Sequence, residues 1–123
     1  MNSFSLIIIQ LSMMLAIHSQ YTNNRQVLIF GKSQHPALVE QQLKLLNKDS
    51  NALKERDLQI IVVEKESRLW KQYKIAPVDF TILLVGKDGF EKHRTNQLLQ
   101  AAELFGLVDA MPMRQWEMRS KKN

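Results

Sequence analysis

The sequence predicts an α/β domain built on a mixed sheet, and three observations carry that reading. Three short runs of branched and aromatic residues, Val27-Leu-Ile-Phe30, Leu58-Gln-Ile-Ile-Val-Val63 and Phe80-Thr-Ile-Leu-Leu-Val85, have the length and composition of strands buried on both faces. Segments with helical spacing separate them, which favours parallel pairing with helices on the sheet faces. After the third run, Gly86-Lys-Asp-Gly89 is turn chemistry and leads into a polar returning segment, which adds an antiparallel edge.

The first strand is expected over Arg25 to Gly31. Pro36 then suits a first helical turn, because its φ is already fixed near the helical value. Val39, Leu43 and Leu46, with Leu38 and Leu45 beside them, make one inward helical face. Asn47-Lys-Asp-Ser-Asn51 ends that helix with side chains that compete for backbone hydrogen bonds. The second strand follows. Ser67 is placed to cap a short helix carrying Leu69, Trp70 and Tyr73, and Ala76-Pro77 stops it. The third strand and the turn lead to Phe90-Glu-Lys-His-Arg94, which alternates weakly as an exposed strand does. Thr95 or Asn96 is the expected cap of a last helix with Leu98, Leu99, Ala102, Phe105 and Val108 inward. Gly106 within it costs about 1 kcal/mol relative to Ala, so a kink is expected there, and Met111-Pro112 ends the helix or opens a further turn. The order strand, helix, strand, helix, strand, strand, helix is the thioredoxin-like arrangement, three layers with a mixed sheet in the middle.

The length of 123 residues suits one domain with a core of its own. A composition of 45% hydrophobic and 24% charged residues is that of a globular chain. The beginning differs. No Lys, Arg, Asp or Glu precedes Arg25, and Leu6 to Ile17 is almost unbroken apolar sequence followed by polar residues. This reads as the h-region of a secretory signal, with Ser19 before the cut, against the alternatives of a buried element or a retained anchor. Residues 1–19 are therefore expected to be a signal peptide and 20–123 a single mature domain, with a basic tail from about 119 and no further membrane span.

The formal charge of +5 and pI of about 9.6 then belong to the mature part. They permit a polyanionic partner, and secretion makes an acidic polysaccharide or an extracellular protein more reachable than nucleic acid. The aromatic interleaving of single-strand readers is absent as well. Cysteine is absent, so no thiolate can form and thiol oxidoreductase chemistry is excluded. No Asn-x-Ser/Thr acceptor occurs.

Gly31-Lys-Ser33 follows a strand and precedes a helix, but the position five residues before the Gly-Lys pair is Gln26, so no phosphate loop is formed. In that same loop Lys32, Ser33 and His35 are the residues an enzyme without thiols would use, although no nucleophile elbow surrounds the serine. His35 and His93 stand far apart in sequence, with no close-spaced ligand pair, so no metal and no cofactor is expected. Arg68, Lys71 and Lys74 recur at helical spacing as a basic stripe, and Arg114, Arg119, Lys121 and Lys122 form a basic tail. Both sets are candidate polyanion contacts, against the reading of a solvated face and a frayed end. Met111, Met113 and Met118 with Trp116 are expected to close the core, with an adaptable surface as the other reading.

Several blocks together resemble the P-DUDES domain. They are Arg25-Gln-Val-Leu-Ile-Phe30, Gln41-Gln42, Glu55-Arg-Asp-Leu58, Val85-Gly-Lys-Asp-Gly89, Leu104-Phe105, Asp109-Ala-Met-Pro-Met-Arg114 and Glu117-Met118. The resemblance implies a thioredoxin-like fold, secretion, roles in adhesion and assembly, and no established enzyme activity. The combined expectation is a secreted, non-catalytic domain that binds an extracellular protein or an acidic polysaccharide.

Overall fold

A computed structural model describes residues 22–122, so the expected signal segment lies outside the described residues. The apolar runs form strands β1 (Arg25–Phe30), β2 (Leu58–Val62) and β3 (Thr81–Val85), and β4 is Glu91–Thr95. The helices are α1 (Pro36–Leu46), α2 (Ser50–Glu55), α3 (Leu69–Gln72), α4 (Ala101–Asp109) and α5 (Pro112–Lys121). The sheet order is β2-β1-β3-β4. β1 and β2 are parallel, in register Arg25 with Leu58. β3 is antiparallel to both β1 and β4, with a register shift at Leu84/Val85. The protein is thus an α/β fold with a mixed four-stranded sheet, as the patterning predicts, but the direction of β3 differs from the expectation: only β1 and β2 pair in parallel, and β3 runs antiparallel to β1 although a helical segment precedes it.

The sheet has an apolar layer on each face. Val27, Ile29, Ile82 and Leu84 point to one side, where α1, α2 and α4 supply Val39, Leu46, Leu53, Leu104 and Val108. Leu28, Phe30, Leu83 and Val85 point to the other, packed by Val63, Ile75 and the side chains of α3. Alternation along fully buried strands is what lets one run feed two layers. Gln42 is buried among these residues without cost, because its amide donates to the Leu99 carbonyl at 2.8 Å and accepts from the Leu99 N–H at 2.7 Å.

Four details differ from the sequence reading. Asn47 to Asn51 is the joint between two helices, and Asp49 caps the second by accepting from the Ala52 N–H at 3.0 Å. The helix expected to start at Thr95 or Asn96 starts at Ala101. Asn96 instead donates to the Phe80 carbonyl and Thr81 Oγ1, which ties the end of β4 to the start of β3. Helix α4 runs on through Gly106, whose missing side chain faces open space. Pro112 opens α5, and its sticky residues do not close the core: Met113 and Trp116 are exposed while Met111 packs against it.

Candidate functional site

Two constellations of charge stand at opposite ends of β1. At the carboxyl end, the chain leaves β1 through Gly31, whose φ of 109° is a conformation that side chains rarely adopt. A Cβ there would lie 3.1 Å from both the Asp79 carbonyl oxygen and the Phe80 Cα, so only glycine lets the loop fold this tightly against the start of β3. The loop Lys32 to Gln34, the segment Glu64 to Arg68 after β2, and α3 with its exit at Lys74 to Pro77 enclose an open groove of about 710 Å³. Its apolar floor includes Val63, Ile75 and Trp70. Trp70 is fixed edge-on against Phe30, ring centres 5.0 Å apart, and its indole N–H donates to the Glu64 carbonyl at 3.0 Å.

Five cations line this groove: Lys32, Lys65, Arg68, Lys71 and Lys74. Glu64 and Glu66 line it too, so its formal balance is positive. Among the described residues none of the five has a carboxylate within ion-pair distance, whereas Arg25, Arg56, Lys87 and Arg114 all do. Lys74 sits in left-handed backbone, φ 55°, at the end of α3. Arg94 on β4 braces that turn by donating to the Tyr73 and Lys74 carbonyls.

The loop candidates Lys32 and Ser33 and the stripe Arg68, Lys71 and Lys74, reached by separate sequence arguments, therefore share one cavity. His35 does not join them. Its Nε2 lies 2.9 Å from the Val78 carbonyl, which calls for a proton on Nε2, and its backbone N–H bonds the Gly31 carbonyl. It is a fastener of the loop. Among the described residues no group of three His, Asp or Glu side chains is placed to hold a metal ion.

At the amino end of β1, the basic tail candidate needs correction. Arg114 is not in a solvated tail: it is 1% exposed and is the inward residue of α5. It donates to Asp109 Oδ1, to the Glu55 carbonyl and to Glu55 Oε1. Arg25, equally buried, forks onto Glu117 with Nη1 at 3.2 Å and Nη2 at 3.0 Å, and reaches the Arg56 carbonyl at 2.9 Å. Arg56 forks onto Asp109 at 3.0 and 2.9 Å and lies over the Phe105 ring at 4.4 Å. Lys87 joins Asp57 and Glu117 at 2.9 and 3.0 Å. Four cations thus meet four carboxylates, with every buried side-chain polar atom among the described residues satisfied. Burial pushes the Glu117 carboxyl up, but hydrogen bonds from Arg25 and Lys87 outweigh it and hold the group below its ordinary value. Asp109 is held low in the same way, burial opposing and Arg56 and Arg114 prevailing.

Arg119, Lys121 and Lys122 remain exposed on the last turns of α5, where cations suit the helix dipole. None of the three lines the groove, so the tail does not contribute to that cavity. The neutral network is not legible in the sequence, because it closes through contacts distant along the chain: Arg25 with Glu117, Arg56 with Asp109 and Arg114 with Glu55. The signal that could have found it lies in the family-like blocks, which contain Arg25, Glu55, Arg56, Asp57, Lys87, Asp109, Arg114 and Glu117.

No helix among the described residues is long and apolar enough to cross a membrane. No curated protein matches the sequence. A solved structure titled "Structure of a malarial protein" is similar at 16% identity and a TM-score of 0.44, over 71% of this chain and 96% of that one. The profile of a family described as "Domain of unknown function (DUF4174)" matches residues 16–117. With most of its length covered by that match, the chain belongs to the DUF4174 family.

Proposed function

We propose that this is a secreted, non-catalytic domain of thioredoxin-like and P-DUDES type that binds an acidic polysaccharide in the groove at the carboxyl end of β1. The observation that carries the proposal is the set of five cations, Lys32, Lys65, Arg68, Lys71 and Lys74, lining one cavity without ion-pair partners among the described residues. Unpaired cations around a groove hold small counterions, and a polyanion gains free energy by releasing them. Trp70 adds a fixed apolar surface beside the charges, suited to a sugar ring. The sheet order β2-β1-β3-β4 supports the thioredoxin-like assignment, and the apolar Leu6 to Ile17 supports secretion.

A catalytic reading of Lys32, Ser33 and His35 has less support, because His35 is committed to the Val78 carbonyl and the cavity is open. The test is retention on immobilised heparin across a salt gradient. A triple variant Arg68→Gln, Lys71→Gln, Lys74→Gln should elute at much lower salt than Arg119→Gln, Lys121→Gln, Lys122→Gln, although each removes the same charge. Equal losses would mean a diffuse field and would overturn the groove. Retention unchanged on heparin but lost on an acidic protein column would move the partner to a protein.

A further inference from the structure

The two edges of the sheet are unlike. β4, Glu91-Lys-His-Arg-Thr95, is dense with charge and carries a register shift at Lys92, the usual devices that keep an edge from pairing. β2, Leu58-Gln-Ile-Ile-Val62, has no charge, no proline and no shift. Its residues from Gln59 to Val62 are exposed or half-exposed.

Two hydrogen bonds set the phase of this edge. Arg25 N–H donates to the Asp57 carbonyl and Val63 N–H donates to the Ile29 carbonyl. In a parallel ladder alternate residues bond the neighbour, so odd-numbered residues from 57 to 63 face β1. The N–H and C=O groups of Leu58, Ile60 and Val62 then point away from the sheet. No hydrogen bond from a turn, loop or side chain of the described residues reaches them.

We propose that this edge associates with a second copy of the chain, pairing β2 antiparallel to β2 about a two-fold axis at Ile60. Only a register that sets even residues against even ones satisfies the outward groups. Among those, Ile60 opposite Ile60 uses all three, since Leu58 then faces Val62 on both sides. The register also places Gln59 opposite the partner copy's residue at position 61, in the close, non-hydrogen-bonded type of pair. Charge agrees with the direction. Among exposed groups without ion-pair partners in the described residues, Lys54 lies before β2, while Glu64, Lys65 and Glu66 after it leave a net negative charge. Antiparallel pairing brings the start of one strand beside the end of the other, the net positive end toward the net negative one. The result is a closed two-fold dimer with one continuous sheet of eight strands, and both charged β4 edges outermost.

The chain contains no cysteine, so single-cysteine variants report cleanly. Gln59→Cys and Ile61→Cys proteins, mixed and oxidised, should give covalent dimer well above either protein alone. Opposed Cα atoms in that register lie about 4.5 Å apart, within disulfide reach, and like positions lie diagonally at about 7–8 Å. Sedimentation of the wild type should show a concentration-dependent dimer. Ile60→Pro should be monomeric with unchanged far-ultraviolet circular dichroism, since the lost N–H points outward and the ladder to β1 keeps its bonds. A wild type that stays monomeric to high concentration, an Ile60→Pro variant that dimerises as well as wild type, or no excess of mixed cross-link would each overturn the proposal.

Discussion

Replacing Glu117 by Gln removes one charge from the middle of the ionic network and should destabilise the fold. The carboxylate is 14% exposed and accepts three charged hydrogen bonds, two from Arg25 and one from Lys87. An amide offers one acceptor oxygen and turns a donating NH2 toward a guanidinium or an ammonium. Arg25, 1% exposed, then keeps the Arg56 carbonyl and at most one amide oxygen in place of the two-oxygen fork. Breaking a buried pair by removing one partner costs about 3–5 kcal/mol. Two features place this site at the low end, at about 3 kcal/mol: Glu117 touches solvent, and Lys87 retains Asp57 at 2.9 Å. With a urea slope of about 1–3 kcal/mol per molar, the midpoint should fall by at least about 1 M. The double variant Arg25→Met, Glu117→Met removes both charges together and should lose less than the two single losses added. Equilibrium unfolding followed by circular dichroism decides this. A midpoint shift worth under about 0.5 kcal/mol, or strict additivity of the two sites, would refute the account of the network as a coupled, buried unit.

Acid should find the same weakness. Glu117 and Asp109 sit below their ordinary values of 4.5 and 3.8, so their contribution is fully present above those values and is lost as pH falls through the lower folded ones; urea midpoints should drop steeply below about pH 4.5 in wild type and less steeply in Glu117→Gln. Gly89→Val should cost more than the roughly 1 kcal/mol of a compatible glycine change, since Gly89 has φ 82° in the turn that joins β3 and β4; an unchanged midpoint would show that the turn tolerates a side chain. The proposed secretion predicts that the full chain, expressed in secreting cells, is released with an N-terminus near Gln20 on sequencing, and that two arginines placed within Leu6 to Ile17 hold it in the cell; an intact Met1 on the released protein would remove the signal reading.

The strands were legible because each is a short apolar run, and β1 and β3 are buried on both faces as such composition suggests; β2 is a strand too, but it is an edge whose residues after Leu58 are exposed or half-buried, so the expectation of burial on both faces fails there. The turn at Gly86 to Gly89 was legible for a local reason too, since positive φ at Gly89 is a property of four residues. Helix α2 was not, because Asn47 to Asn51 serves two helix ends at once and looks like a loop either way. The start of α4 was misplaced since Asn96, a good cap in isolation, is used by Phe80 and Thr81 instead. Arg114 was misread for the deepest reason. What buries it comes from Glu55 and Asp109, and its neighbour Glu117 pairs with a residue 92 positions away. Periodicity carries no trace of such a partner. The groove lay between these cases: its residues were named singly, but their meeting depends on how the loop after β1 folds toward the segment after β2.

Helix α5 presents arginine and glutamate inward where α4 presents leucine and valine. Lifting α5 away would therefore uncover little hydrocarbon. Such an opening would carry a small heat-capacity change and a shallow dependence on denaturant, unlike global unfolding of the sheet and its two apolar layers. In native-state hydrogen exchange, the amides from Gln115 to Arg119 should form a separate isotherm, nearly flat at low denaturant, that joins the global one only near the transition. The carboxyl-terminal helix would then be a cooperative unit of its own, able to swing out with Trp116 while the sheet stays folded.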